Sequence, residues 1–166
     1  MSETSDEKSK RNYLRLLNDH EWCYQHSLFY EDGTDSKALP NDMIRFKQIL
    51  RRKCPDQPFL IRIQLLNRKT DHNPDGGTQA YLVILTTANA RIEIERAAEK
   101  AMHTICNTLS KKLTNENKSR TASAIKSQKP HNLERFFCKE KINRFTLLNK
   151  NKLKQHSNNT NQTLPQ

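Results

Sequence analysis

The residues whose spacing comes closest to a metal-binding loop are Asp71, Asn73, Asp75 and Gly76, in the stretch DHNPDGG. A calcium-binding EF-hand loop has Asp or Asn at its first, third and fifth positions, Gly at its sixth and a bidentate glutamate at its twelfth. The twelfth position here is Leu82, so the last two coordinating oxygens are missing. The same stretch suits a chain reversal, because its glycines can adopt positive φ. We therefore predict a β-hairpin turn at this point and no metal.

A second set with possible metal chemistry is His20, Cys23 and His26, which offers two imidazoles and a thiolate. A structural zinc ion usually has four such ligands. The fourth would have to come from His131 or Cys138, far along the chain. We interpret the three residues as ordinary core and surface positions, with a metal site or an enzyme that uses them as the alternative.

Sequence motifs for phosphate binding or nucleophilic catalysis are missing. The chain has three glycines and contains no GxxxxGK[ST], GxGxxG or GxSxG pattern. Neither His72 nor His103 has an obvious acidic or cysteine partner nearby in the sequence. We therefore predict no catalytic residue and no cofactor.

Positive charge is concentrated in the last part of the chain. The formal net charge is +11, and residues 101–166 contain 13 of the 29 Lys and Arg but 3 of the 18 Asp and Glu. Such a segment favours polyanions, because each neutralised phosphate releases condensed counterions. We predict that nucleic acid, DNA or RNA, is the partner, with an acidic protein as the alternative. The predicted nucleic-acid-binding residues are Arg51, Arg52, Lys53, Arg62, Lys111, Lys112, Lys118, Arg120, Lys126, Lys129, Arg135, Lys139, Lys141 and Arg144.

Cysteine usage and hydropathy indicate a cytoplasmic protein. Cys23, Cys54, Cys106 and Cys138 are widely spaced, which is typical of free thiols in a reducing compartment. The first ten residues, MSETSDEKSK, lack the apolar core of a signal peptide. No apolar run approaches the ~20 residues that span a bilayer, so we predict no membrane partner.

Hydrophobic periodicity predicts an alternation of helices and strands. Met43, Phe46, Ile49 and Leu50 recur at helical spacing, whereas FLIRIQLL alternates as a strand with one buried face does. The predicted elements are a helix over 11–17, a strand over 27–31, a helix over 41–53, strands over 59–66 and 79–87, and a helix over 89–113.

The remaining segments are divided by composition. We predict disorder over 1–10, an α+β core over 11–114, a basic linker over 115–131, a C-terminal helix over 132–148 and a disordered polar tail over 149–166. The stretch INRFTLL at the end of that helix could instead be a strand.

The predicted element order is that of a ferredoxin-like βαββα(β) antiparallel sheet, completed by a strand near Ile142–Leu148. RNA-recognition motifs share this order. Their central strand begins with a basic residue and glycine and then alternates aromatics, and GTQAYLVI keeps only Ala80 and Tyr81 of that pattern.

The stretch GTQAYLVIL resembles the strand that carries the His-hydrophobe-His motif in phage-type rolling-circle replication initiators. The preceding segments DMIRFKQILRRK and FLIRIQLL resemble the helix and strand before that motif, so the resemblance covers roughly residues 27–113. Gln79 and Tyr81 stand where the family has its metal-binding histidines, and no tyrosine follows Tyr81 to act as the nucleophile. The resemblance therefore implies a protein that has lost the nuclease chemistry but binds nucleic acid, in the replication or regulation of a mobile element.

Overall fold

The computed structural model describes residues 5–32, 38–70, 73–102, 108–127 and 145–153. These residues form an α+β fold with one five-stranded antiparallel sheet in the order β4-β1-β3-β2-β5. The elements are α1 (Ser5–Asp19), β1 (Tyr24–Asp32), α2 (Ala38–Lys53), β2 (Phe59–Thr70), β3 (Asn73–Thr86), α3 (Arg91–Met102), β4 (Thr108–Lys112), α4 (Asn115–Ser127), β5 (Phe145–Leu148) and a 3₁₀ turn (Lys150–Lys152).

The four strands β4-β1-β3-β2 have ferredoxin-like connectivity, as predicted, but β4 completes that unit and not the predicted strand near Ile142–Leu148. Both β1 and β2 are antiparallel to β3, which lies between them. The chain therefore makes two split β-α-β units, one through α2 and one through α3.

One face of the sheet is covered by α2 and α3, and we call it the α2/α3 face. The apolar positions of α2 recur at helical spacing, so Met43, Phe46 and Leu50 all point into the core and are fully buried. They pack with alternate residues of the strands, such as Ile61 and Ile84. Helix α2 ends at Lys53, one residue before Cys54-Pro55, because the residue before a proline disfavours helical geometry.

The opposite face, which we call the α1/α4 face, carries α1 and α4. Tyr13 and Leu17, one helical turn apart in α1, pack with Leu60, Val83 and other buried side chains of this face. Trp22 follows α1, and its indole N–H donates a hydrogen bond to the Leu16 carbonyl at 2.9 Å. This bond fixes the chain where it leaves α1 for the sheet.

The predicted hairpin between β2 and β3 is confirmed, but residues 73–77, predicted as its turn, belong to β3. The two strands pair from Phe59 opposite Thr86 to Thr70 opposite Asn73, with an irregularity between Arg68 and Thr70. The reversal itself, residues 71–72, lies outside the described residues.

The prediction of one helix over 89–113 is wrong beyond Met102. Residues 108–112 instead form strand β4, which pairs with β1 so that Ser110 lies opposite His26. Without β4, the edge of β1 would present unpaired backbone donors and acceptors, and closing such an edge overrides local helical periodicity. Leu109, which would share the apolar side of such a helix with Ile94 and Ala98, is largely exposed.

The predictions for the terminal regions also need correction. Residues 115–127, predicted as part of a linker, form α4, and residues 5–10, predicted as disordered, begin α1. The proposed strand alternative is confirmed for 145–148, which form β5 beside β2 rather than the end of a helix. Residues 149–153, predicted as the start of the disordered tail, contain the 3₁₀ turn, and the Asn149 side-chain amide donates to the carbonyls of Cys54 and Gln57. The rest of the predicted C-terminal helix, 132–144, and the tail beyond Leu153 lie outside the described residues.

Helix α4 forms although it contains little apolar surface. The hydroxyl of Thr114 accepts a hydrogen bond from the Asn117 backbone N–H at 3.1 Å, which caps the first turn. Ile125 is the buried residue of the helix and packs into the cluster with Tyr13 and Trp22. A capped first turn and one apolar anchor thus hold α4 to the sheet.

Among the helices in the described part of the chain, none is both long enough and apolar enough to cross a bilayer.

Candidate nucleic-acid interface

Part of the α1/α4 face is left open, and the boundary follows β3. Leu85 and Val83 lie beneath the helices and are buried, whereas Tyr81, two residues further along, is partly exposed. Phe29 on the neighbouring strand is 52% exposed, and Leu109 on β4 is 74% exposed. We call Ser27, Phe29, Tyr81 and Leu109 the open patch.

The two aromatic rings of the open patch lie side by side. Phe29 of β1 is directly opposite Tyr81 of β3, and their ring centroids are 4.7 Å apart with the planes tilted by 42°. The Tyr81 hydroxyl donates a hydrogen bond to Ser27 Oγ at 3.1 Å. This bond and the ring contact hold the pair in one position on the sheet.

A shallow cleft of about 270 Å³ runs over the open patch. Its lining consists of the four patch residues together with Ser110 and Lys111. Among the described residues, Lys111 is the charged residue of this lining, and no carboxylate contributes to it. The cleft therefore combines aromatic and aliphatic surface with one positive charge, and it suits a flat, apolar ligand attached to an anion.

The sheet places the predicted basic residues of β2 and β4 in different surroundings. Lys111 and Lys112 are neighbours in β4 but lie on opposite faces of the sheet, because side chains alternate along a strand. Lys111 lies on the face of the open patch, and Lys112 does not. Arg62 of β2 also lies on the α1/α4 face, where its guanidinium carbon is 5.8 Å from the centroid of the Tyr13 ring.

Tyr13 shows the electrostatic effect of this contact. Burial raises the pKa of its phenol above the usual value, and the positive charge of Arg62 partly opposes that rise. Arg62 is half-buried beside α1. Arg62 therefore packs in the covered part of the face, against Tyr13, and is not a residue of the open patch.

The remaining described basic residues lie on helices. Arg51, Arg52 and Lys53 are exposed at the end of α2, which packs on the α2/α3 face, so the structure does not bring them to the open patch. Lys118, Arg120 and Lys126 are on α4, and Arg120 forms an exposed ion pair with Glu116 at 2.7 Å. The other predicted residues, Lys129, Arg135, Lys139, Lys141 and Arg144, lie outside the described residues.

A second cleft, of about 390 Å³, lies where β4 leads into α4. It is lined by Trp22, Cys23, Lys112 and Lys118, but also by Glu21. The carboxylate of Glu21 opposes the binding of an anion there. Its two lysines still leave a net charge of +1, as in the cleft over the open patch, but Trp22 is buried and offers no ring face to a base.

His26 of β1 is buried, and both of its ring nitrogens form hydrogen bonds. The Thr86 hydroxyl donates to the Ala88 carbonyl at 2.6 Å, so Thr86 Oγ1 accepts a hydrogen bond from His26 Nε2–H at 3.0 Å. His26 Nδ1 then accepts from the Ser110 hydroxyl at 2.6 Å. These bonds assign the neutral Nε2–H tautomer. Burial lowers the pKa of His26 to about 4, and the charge of Glu93 partly opposes this.

The set His20, Cys23 and His26 does not form a metal site in the described structure. Both nitrogens of His26 bond to hydroxyls, and Cys23 is a free, partly exposed thiol. Within the described ranges, no three His, Cys, Asp or Glu side chains are grouped closely enough to hold an ion.

Sequence reasoning missed the open patch. Leu109 was predicted on a helix and Phe29 on a strand, and neither prediction specified which face of the sheet the helices would cover. The alternation of Ser27 and Phe29 in β1 did carry a signal, because both residues share a face with Tyr81 once the strands pair.

Comparisons with protein-family models, with curated proteins and with solved structures found no match to this chain. The resemblance to rolling-circle replication initiators therefore stays a prediction.

Proposed function

We propose that this protein binds nucleic acid, DNA or RNA, without a catalytic step, and that the open patch is the binding surface. The observation that carries the proposal is the exposed ring of Phe29 against the partly exposed ring of Tyr81, beside Lys111. Aromatic rings stack on bases and lysine neutralises phosphate, and nucleic-acid-binding grooves combine these two contacts.

The charge of the chain supports a polyanionic partner. The formal net charge is +11, and β4 and α4 together contribute Lys111, Lys112, Lys118, Arg120 and Lys126 against Glu116 as the one acidic residue of those two elements. The long-range electrostatic field of these residues attracts a phosphate backbone, which can then bind at the open patch.

The resemblance to rolling-circle initiators extends the proposal to the replication or regulation of a mobile element. Tyr81 stands where that family has a metal-binding histidine, and a phenol paired with Phe29 offers stacking in place of metal binding. The proposal accordingly assigns binding and not strand cleavage to this surface.

Neighbouring lysines of β4 provide the test. Lys111→Gln and Lys112→Gln remove the same charge from adjacent exposed residues on opposite faces of the sheet. With a fluorescent oligonucleotide titrated at several salt concentrations, K111Q should weaken binding several-fold and lower the salt slope by about one, because one phosphate contact is lost. K112Q should have less than half of that effect.

Equal effects of K111Q and K112Q would show that net charge, and not the open patch, governs binding. Failure of the wild-type protein to bind DNA or RNA at low salt would refute the proposal altogether.

Leu109 favours a second candidate function, a protein-interaction adaptor with an acidic partner. Its side chain is 74% exposed, and an aliphatic side chain packs against an apolar protein surface better than it stacks on a base. A partner protein that still co-purifies after nuclease treatment, but no longer co-purifies with Leu109→Asp, would favour this candidate.

A further inference from the structure

The open patch lies beside a step in the protein surface. On the same face, α1 and α4 cover Leu60, Val83 and Leu85, and the cover ends before Tyr81. A helix with its side chains is about 10–12 Å across. A ligand on Phe29 and Tyr81 therefore has a wall along one side, formed by α1 and α4, which pack on the sheet through Tyr13, Leu17 and Ile125.

The contacts that the open patch offers are those of an unpaired base. The rings of Phe29 and Tyr81 can stack on the face of a base, and inside a duplex those base faces are already stacked on their neighbours. The wall of α1 and α4 hinders the approach of a rigid duplex to the two rings. A flexible single strand can instead place a base on the rings while its phosphate lies near Lys111.

Charge decides between a nucleic acid and an apolar protein segment as the occupant. Among the described residues, the cleft over the open patch is lined by one lysine and no carboxylate, while the Ser27 hydroxyl already bonds to Tyr81 and the Ser110 hydroxyl to His26. Lys111 suits a phosphate attached to the stacked base, whereas an apolar segment offers its charge no counter-ion.

We infer that the open patch selects single-stranded nucleic acid, with unpaired bases stacked on Phe29 and Tyr81 and the adjacent phosphate neutralised by Lys111. This inference rests on the proposed function, since it names the form of nucleic acid that the same surface accepts.

The test uses variants that remove the rings but keep apolar volume. Phe29→Leu and Tyr81→Leu, singly and combined, are compared with Ile44→Ala, a matched control because Ile44 on α2 is also 52% exposed but lies on the other side of the sheet. The full-length protein is titrated with a short oligothymidylate strand and with the same strand annealed to its complement. Thermal unfolding of each variant confirms that it is folded.

The wild-type protein should bind the single strand about tenfold or more tightly than the duplex, because stacking contributes roughly 1–3 kcal/mol per base. The double variant should lose that preference and keep the duplex affinity, and I44A should behave as the wild type does. A bromouracil-substituted strand should photo-crosslink to the β1 or β3 peptides that contain Phe29 or Tyr81.

Several results would overturn the inference, and they are distinguishable from failure of the proposed function. Equal affinity for single strand and duplex, unchanged in the double variant, would overturn the inference while leaving phosphate binding intact. Crosslinks found only outside β1 and β3 would do the same, including the case in which another segment of the chain occupies the open patch. Binding of neither form would refute both proposals together.

Discussion

The two faces of the sheet differ in how completely helices cover them. On the α2/α3 face, the apolar residues of the central strands, such as Leu28 and Leu82, are buried beneath two helices. On the α1/α4 face, burial stops at Val83, and Phe29 and Leu109 remain in solvent. This exposed apolar patch is the feature on which the proposed binding surface rests, since folding stability alone would favour its burial.

The helices on the two faces of the sheet have different roles. Helices α2 and α3 belong to the ferredoxin-like unit and supply its core, whereas α1 precedes that unit and α4 follows it. Helix α4 rests on one buried residue, Ile125, and on the cap from Thr114. The added helices therefore shape one edge of the open patch.

The largest expected effect is on the free energy of unfolding. Leucine-to-alanine substitutions should distinguish the covered part of the α1/α4 face from its open part. Leu17→Ala removes a fully buried side chain of α1 and should lower the free energy of unfolding by about 2–5 kcal/mol. Leu109→Ala changes a largely exposed residue and should alter it by less than about 0.5 kcal/mol. Urea denaturation of both variants measures this, and a similar loss in the two would mean that Leu109 is covered in the intact protein.

The next effect concerns His26, on the α2/α3 face at the β1–β4 pairing. The folded state holds the pKa of His26 at about 4, below its ordinary value of 6.5, so the unfolded chain binds more protons between these two pH values. Stability should therefore be complete above about pH 6.5 and fall as the pH drops towards 4. The two pKa values limit the loss to about 3 kcal/mol.

His26→Gln is the variant that isolates this titration. It should be less stable than the wild type at neutral pH, because the hydrogen bonds to Ser110 and Thr86 change. Its stability should also depend less on pH between 6.5 and 4. An unchanged slope in denaturation curves across that window would mean that other groups carry the dependence.

The smallest of the three effects tests how α4 is held beside the open patch. Thr114→Ala removes the hydroxyl that caps the helix and should cost about 1 kcal/mol of stability. Ser119→Ala, an exposed change within the same helix, should be neutral or slightly stabilising because alanine is the better helix former. Chemical denaturation compares the two variants, and equal stabilities would show that the Thr114 cap is dispensable.

Much of the ferredoxin-like unit was predictable because its elements are long and strongly periodic. Helix α2 has Met43, Phe46 and Leu50 on one side, and Pro55 follows its end, so local sequence defined it to within a few residues. The alternation in FLIRIQLL identified β2 in the same way. The prediction failed at β4 and α4, where Leu109 fits a helical stripe and Ile125 is the single buried residue of its helix.

The amino-acid sequence by itself determined the α+β class, the order of the first strands and helices, and the excess of positive charge near the end of the chain. Each of these follows from local periodicity or composition. Only the tertiary structure decided that residues 108–112 close the edge of β1, that Lys111 and Lys112 face opposite ways, and that Phe29 and Tyr81 meet in solvent. The physical reason is that exposure depends on which distant element packs above a residue, and neighbours along the chain do not specify that.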